Sequence, residues 1–266
     1  MRKIRLLSLI IITTMSSCKE DVNRKESEET KDKISIKEGL NEIHFFTTDS
    51  IKIYGDLYKQ SNTAPTLLIF HQAGSNAKAE YNSILPELEK QGFNILTIDQ
   101  RVGGNHFHGG TNRTVNEIKN KQYNYCDVYP DLVAALAYMK NSRFNGKIII
   151  WGSSYSGSLA IKLANENQDI INGVLAFSPA SGGPMEACKP DAYFESLKLP
   201  LLLLRPFSEM QSRQSQAQFD LAKQYGHQTY IAQNGAHGSS MLDARRVEGS
   251  TVDNWKTVNT FLQQFK

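Results

Sequence analysis

Cysteine is scarce in this chain: Cys18, Cys126 and Cys188 are the whole complement of 266 residues. No two of them fall in Cys-x-x-Cys spacing, which excludes the common zinc-binding and redox-thiol arrangements. An excess of one charge is missing as well. There are 30 Lys and Arg against 27 Asp and Glu. Three of the basic residues, Arg2, Lys3 and Arg5, precede Cys18 in a stretch without an acid, so the remainder of the chain is electrically balanced. That balance argues against nucleic acid or an anionic surface as a partner of the folded part. Long apolar runs are absent, and the stretch Leu6–Ile12 is too short to span a bilayer as a helix. No internal repeat is visible. The pair His106 and His108 has no accompanying carboxylate cluster, so no metal site is expected there. What remains is ordinary globular composition, 40% hydrophobic and 21% charged, in a length that suits one large domain.

The first residues read as a targeting segment. Arg2, Lys3 and Arg5 form a basic start, and Leu6–Ile12 forms a short apolar centre. Met15-Ser16-Ser17-Cys18 resembles a bacterial lipoprotein cleavage box, with Met15 where leucine is usual. It implies a signal peptide over residues 1–17 and a lipid on Cys18; the competing reading is a secretory signal with an incidental cysteine. Lys19-Glu20-Asp21 resembles a signal that carries some lipoproteins to the cell surface. The expected location is therefore the cell envelope, at the outer membrane or the cell surface, with the membrane as partner through Cys18. Residues 18–40 are polar and of mixed charge, which predicts a flexible tether, and residues 41–266 form the folded domain. In such a compartment Cys126 and Cys188 either bridge or stay as two thiols.

From Asn41 onward strand-like and helix-like segments alternate. Residues 43–48 and 51–59 predict a hairpin turning at Asp49-Ser50. Apolar strands are expected at 66–70, 93–98, 147–151, 174–177, 199–204 and 228–232. Tyr81, Ile84, Leu85 and Leu88 share one helical face, as do Leu132, Ala135, Leu136 and Met139 behind Pro130. Leu159, Ala160 and Leu163 mark another helix, residues 214–225 a further one, and Trp255, Val258 and Leu262 a closing one. Continuous apolar strands separated by helices predict an α/β domain with a mostly parallel sheet covered on both faces.

Chemistry concentrates where these strands end. Ile148–Trp151 stops abruptly at Gly152-Ser153-Ser154-Tyr155-Ser156-Gly157, which has the layout of a strand–turn–helix elbow that exposes a serine hydroxyl. Ser154 is the candidate nucleophile. His237, in Asn234-Gly235-Ala236-His237-Gly238, lies on a loop after a late strand and is the candidate base. Glu209 follows the apolar run Leu201–Leu204 and is the candidate acid, with Asp220 and Asp243 as fallbacks. His71-Gln72-Ala73-Gly74-Ser75-Asn76, directly after Phe70, is the candidate oxyanion loop. Its backbone donor would be Ala73 or Gln72, alongside the N–H of Tyr155; His71 is read as structural.

The order oxyanion loop, Ser154, Glu209, His237 is that of the α/β-hydrolase superfamily, which the chain resembles over residues 41–266. The His-Gln-Ala-Gly-Ser-Asn loop and the lack of a large insert after the elbow resemble the compact branch of dienelactone hydrolases and small bacterial esterases. The resemblance implies an α/β-hydrolase fold with a small cap, at residues 179–198, and a serine esterase needing no cofactor. Its substrate would be a small or polymer-attached ester. Departures are Ser156 for glycine, Gln72 where His-Gly is common, and serine for the cysteine nucleophile of true dienelactone hydrolases, which speaks against that activity. A peptidase or amidase with the same groups, and an inactive hydrolase-fold lipoprotein that only binds, are the competing readings. Tyr155 and Ser156 are expected to set selectivity, together with the long loop 101–129.

Overall fold

The computed structural model describes residues 38–105, 109–119 and 121–266. The leader, Cys18, most of the tether and the pair His106 and His108 lie outside the described residues. Eight strands form one sheet in the order β1-β2-β4-β3-β5-β6-β7-β8. They are β1 Gly39–Phe46, β2 Lys52–Lys59, β3 Thr66–Phe70, β4 Asn94–Asp99, β5 Ile148–Ser153, β6 Ile171–Phe177, β7 Leu201–Pro206 and β8 Gln228–Ala232. β1 and β2 run antiparallel to their neighbours, and every pairing from β4 to β8 is parallel. The strand β1 starts inside the expected tether, because Gly39 and Leu40 pair with Lys59 and Tyr58. The first turn falls where expected, and Ser50 takes φ 64 to close it.

Alternation along the strands divides the core in two. Leu68, Phe70, Ile148 and Ile150 face one cluster; Leu67, Ile69, Ile149 and Trp151 face the other. The first face is covered by α4 Tyr129–Asn141, α5 Tyr155–Glu166 and α6 Arg213–Gln224. The second is covered by α2 Leu85–Lys90 and α7 Val252–Gln263, with Tyr81 from α1 Ala77–Tyr81. Each fully buried Leu, Ile or Phe in these clusters adds about 1.5–3 kcal/mol.

Two segments depart from the sequence reading. The single helical face Tyr81–Leu88 is split into α1 and α2. Pro86 sits in the first turn of α2, and a proline cannot donate to a preceding turn, so one continuous helix cannot pass through it. All four apolar residues of the face are nevertheless buried. The long loop 101–129 contains a helix, α3 Arg113–Ile118, started by Asn112, whose side chain accepts from the N–H of Val115. Arg113 anchors α3 to the sheet by pairing with both Asp56 and Asp99.

The cap expected at residues 179–198 consists of two short 3-10 helices, Gly183–Cys188 and Pro190–Tyr193. Cys188 is bonded to Cys126, which ties the cap to the loop before α4. Among the described residues, no helix is long and apolar enough to cross a membrane.

Candidate active site

Ser154 lies between the end of β5 and the start of α5, half-buried, with φ 60 and ψ −124. That region is unfavourable for a residue with a side chain and persists only when neighbours enforce it. They do: its N–H donates to Phe177 O at 2.8 Å, and its carbonyl accepts from Gly157, Ser158 and Ala180. Gly152 makes the turn possible, since a Cβ there would stand 2.3 Å from Ser156 O.

The structure joins His237 and Glu209. Nδ1 of His237 lies 2.6 Å from Oε1 of Glu209, and Arg205 donates to Oε2 of the same carboxylate at 2.7 Å. Burial pushes the Glu209 carboxyl up, but the His237 hydrogen bond, the His237 charge and the buried Arg205 guanidinium outweigh it and hold the group below its ordinary value. In the neutral imidazole, an ionised Glu209 selects the tautomer of His237 with the proton on Nδ1 and the lone pair on Nε2. The His237 loop is pinned to the elbow. Gly238 N–H donates to Ser178 Oγ and Ser239 N–H to Ser153 Oγ, each at 3.0 Å. Gly238 has φ 67, and a Cβ there would meet Ser153 Oγ at 2.2 Å. Among the described residues Ser154 Oγ has no hydrogen-bond partner; in unliganded sites of this kind that contact often tightens only on binding.

The fallback acids lie elsewhere. Asp220 is exposed on α6, and Asp243 is held by Ser83, Arg245 and Arg246.

The loop after β3 sorts its own two candidates. Gln72 N–H is already taken: it donates to the buried carboxyl group of Glu80 at 2.7 Å. It therefore cannot serve as an oxyanion donor, while Ala73 N–H has no partner among the described residues. Tyr155 is the first residue of α5, so its N–H has no partner within the helix. His71 is structural as expected. Its Nε2 accepts from Gln100 N–H, which leaves Nδ1–H to donate to Gln72 O at 2.8 Å.

The expectation that Tyr155 and Ser156 set selectivity is corrected. Ser156 is fully buried; its hydroxyl donates to His71 O at 2.6 Å and accepts from Gln100 at 2.7 Å. The Tyr155 ring is buried too, with its hydroxyl donating to Val102 O at 2.9 Å. The same hydroxyl accepts from Gln100 Nε2 at 2.9 Å, so both of its polar contacts are to residues that follow β4. Tyr125 stacks on the ring at 4.9 Å, and Tyr125 also lines a cleft of about 580 Å³ with Val102, Tyr123, Asp127, Pro184 and Glu186. Neither this cleft nor a larger one of about 780 Å³, between α7 and residues 242–245, is lined by Ser154, Glu209 or His237. Among the described residues no group of three or more His, Cys, Asp or Glu is placed to hold a metal.

Sequence reasoning missed Arg205 and Glu80. The signal for Arg205 was a lone cation inside an apolar strand; for Glu80 it was an acid beside Tyr81, on the inward side of a helix.

No protein-family model matches the chain, and no curated protein sequence matches it. Solved structures do. The Pyrococcus furiosus esterase Pf2001 is 18% identical with a TM-score of 0.64, over 85% of this chain and 90% of that one. A dienelactone hydrolase from Anabaena variabilis is 16% identical with a TM-score of 0.62, over 85% of this chain and 98% of that one. The Pyrococcus horikoshii acylaminoacyl peptidase is 18% identical with a TM-score of 0.59, over 86% of this chain and 42% of that one. The chain has the α/β-hydrolase fold in common with them.

Proposed function

We propose that the protein is a serine hydrolase that cleaves a carboxylic ester through an acyl-enzyme intermediate. The observation that carries this reading is the 2.6 Å bond between His237 Nδ1 and Glu209 Oε1, on a loop fastened to Ser153, the neighbour of the strained Ser154. His237 Nε2 takes the Ser154 proton as the oxygen attacks the ester carbonyl. Glu209 keeps the imidazole in the reactive tautomer and stabilises the imidazolium. The N–H groups of Tyr155 and Ala73 receive the negative charge on the tetrahedral oxygen. His237 then protonates the departing alcohol, and water, deprotonated by the same nitrogen, releases the acid. No step needs a cofactor. The likeness to esterases and to a dienelactone hydrolase supports the hydrolase reading at the level of fold.

Fluorophosphonate labelling tests the proposal directly. Wild-type protein is expected to label and Ser154→Ala not to; absence of Ser154-dependent labelling in folded protein would sink the enzyme reading. Matched ester and amide substrates then separate esterase from amidase, and a series of acyl lengths and acetylated sugars reads out preference.

The location follows as a second part of the proposal: a lipoprotein of the cell envelope anchored through Cys18. The Cys126–Cys188 disulfide supports an oxidising compartment. In a bacterial host, the full chain is expected to take up an alkyne fatty acid and Cys18→Ala to take up none. Equal uptake by both would refute the anchor.

A further inference from the structure

The segment that would bind the oxyanion is held one peptide group at a time. Tyr81, in α1, donates its hydroxyl to Phe70 O at 2.8 Å. The next peptide group, between His71 and Gln72, is gripped at both ends. Its carbonyl accepts from Ser156 Oγ at 2.6 Å, and its N–H donates to Glu80 Oε2 at 2.7 Å. The peptide group after that contains Gln72 O, which accepts from His71 Nδ1 at 2.8 Å, and on its other end Ala73 N–H. A peptide group is planar, so fixing Gln72 O fixes the direction of Ala73 N–H.

Glu80 is the costly member of this set. It is 2% exposed, and its Oε1 has no hydrogen-bond partner. A buried carboxyl with an unmatched oxygen costs several times what one peptide hydrogen bond returns. An alanine or leucine would fill the inward side of α1 without that penalty. Retaining an acid there makes sense where the exact orientation of the bonded N–H matters more than stability.

We propose that Glu80 is a positioning residue of this site: by holding Gln72 N–H, it aims the neighbouring Ala73 N–H at the oxygen that becomes negatively charged in the transition state. This rests on the hydrolase reading above. The consequence is kinetic. A donor aimed at the developing oxyanion acts in the transition state and contributes little to substrate binding, so its loss lowers kcat and leaves KM alone.

The test uses p-nitrophenyl acetate as substrate and a simple alkyl boronic acid as a tetrahedral mimic, on full-length wild type and three variants. Glu80→Ala is expected to lower kcat about tenfold to a hundredfold, to change KM less than about twofold, and to weaken boronate inhibition in parallel with kcat. Glu80→Gln keeps an acceptor oxygen at the same reach and is expected to restore most of kcat and of boronate affinity. Glu80→Asp is too short to reach Gln72 N–H and is expected to behave as Glu80→Ala; it replaces that variant if alanine prevents folding. Wild-type-like kcat in both short variants would overturn the proposal, as would a glutamine variant no better than alanine, or losses shared equally by kcat and KM. Wild type without turnover or Ser154 labelling would instead remove the hydrolase reading on which it rests.

Discussion

Ser154 should make the protein less stable than it could be. Its φ of 60 and ψ of −124 cost a side-chain-bearing residue about 1–3 kcal/mol. The turn cannot relax without giving up the hydrogen bond from its N–H to Phe177 O and those its carbonyl accepts from Gly157, Ser158 and Ala180. Glycine adopts this conformation without steric penalty but loses about 0.5–1 kcal/mol more chain entropy on folding. Ser154→Gly is therefore expected to be more stable than Ser154→Ala by about 1–2 kcal/mol. Both variants lack the hydroxyl, so the comparison isolates the backbone. In a domain of this size each kcal/mol moves the melting temperature by about 2–4 °C. Thermal denaturation followed by circular dichroism should place the glycine variant about 2–8 °C above the alanine variant, with neither labelled by fluorophosphonate. Equal melting temperatures, or alanine above glycine, would show that the turn holds no strain and would remove the physical basis for reading it as a nucleophile elbow.

Three further outcomes follow from the same geometry. Glu209→Gln is expected to lower kcat about a thousandfold or more while the protein stays folded, and intact turnover would reject Glu209 as the acid; glutamine is the substitution to make, because its amide oxygen still accepts a hydrogen bond from Arg205, whereas alanine would remove the acceptor as well as the charge. Opening the Cys126–Cys188 bridge, which spans 62 residues, is expected to remove about 4 kcal/mol of stability, read as a shift of the urea midpoint between oxidised and reduced wild type; an unchanged midpoint would contradict it. Burial pushes the Glu80 carboxyl from 4.5 up to about 7, against the pull of Ser153, the Gln72 N–H, Arg246 and His237. The folded protein therefore holds a proton that the unfolded chain has released, so this contribution to stability is complete below the unfolded value and is lost as pH rises through the folded one. It amounts to about 3 kcal/mol, and urea unfolding at several pH values should show a fall for wild type that Glu80→Gln lacks.

Much of the site was legible because its parts sit at strand ends, and strand ends are easy to read. Leu201–Leu204 is an apolar run and Gln228–Ala232 a strand-like one, each followed by turn residues within a few positions, so Glu209 and His237 could be placed from position alone. Glu80 could not. Six or fewer residues of helix, such as α1 and α3, give too little periodicity to separate an inward acid from a solvated one. Arg205 was hidden for the opposite reason: a cation within an apolar strand reads as an interruption until its partners, Glu209, Gln218 and Pro179 O, are seen together.

The elbow shows what a sequence pattern does and does not encode. Its glycine two residues before Ser154 is a steric requirement, since any Cβ at Gly152 would strike Ser156 O at 2.3 Å. The position two residues after carries no such requirement. Ser156 extends toward the end of β3, where its hydroxyl bonds both His71 O and the Gln100 amide, and the close approach to β6 and the cap falls one residue later, on Gly157, where a Cβ would lie 3.1 Å from Gly152 O and 3.3 Å from Phe177 O and from Pro179 Cα. Serine at this position is thus a replacement of empty space by a hydrogen bond. It ties α5, the helix that follows Ser154, to the peptide group that Glu80 grips from the other end. The residue that looked like a weakness in the motif supplies one of the two contacts that grip the peptide group between His71 and Gln72.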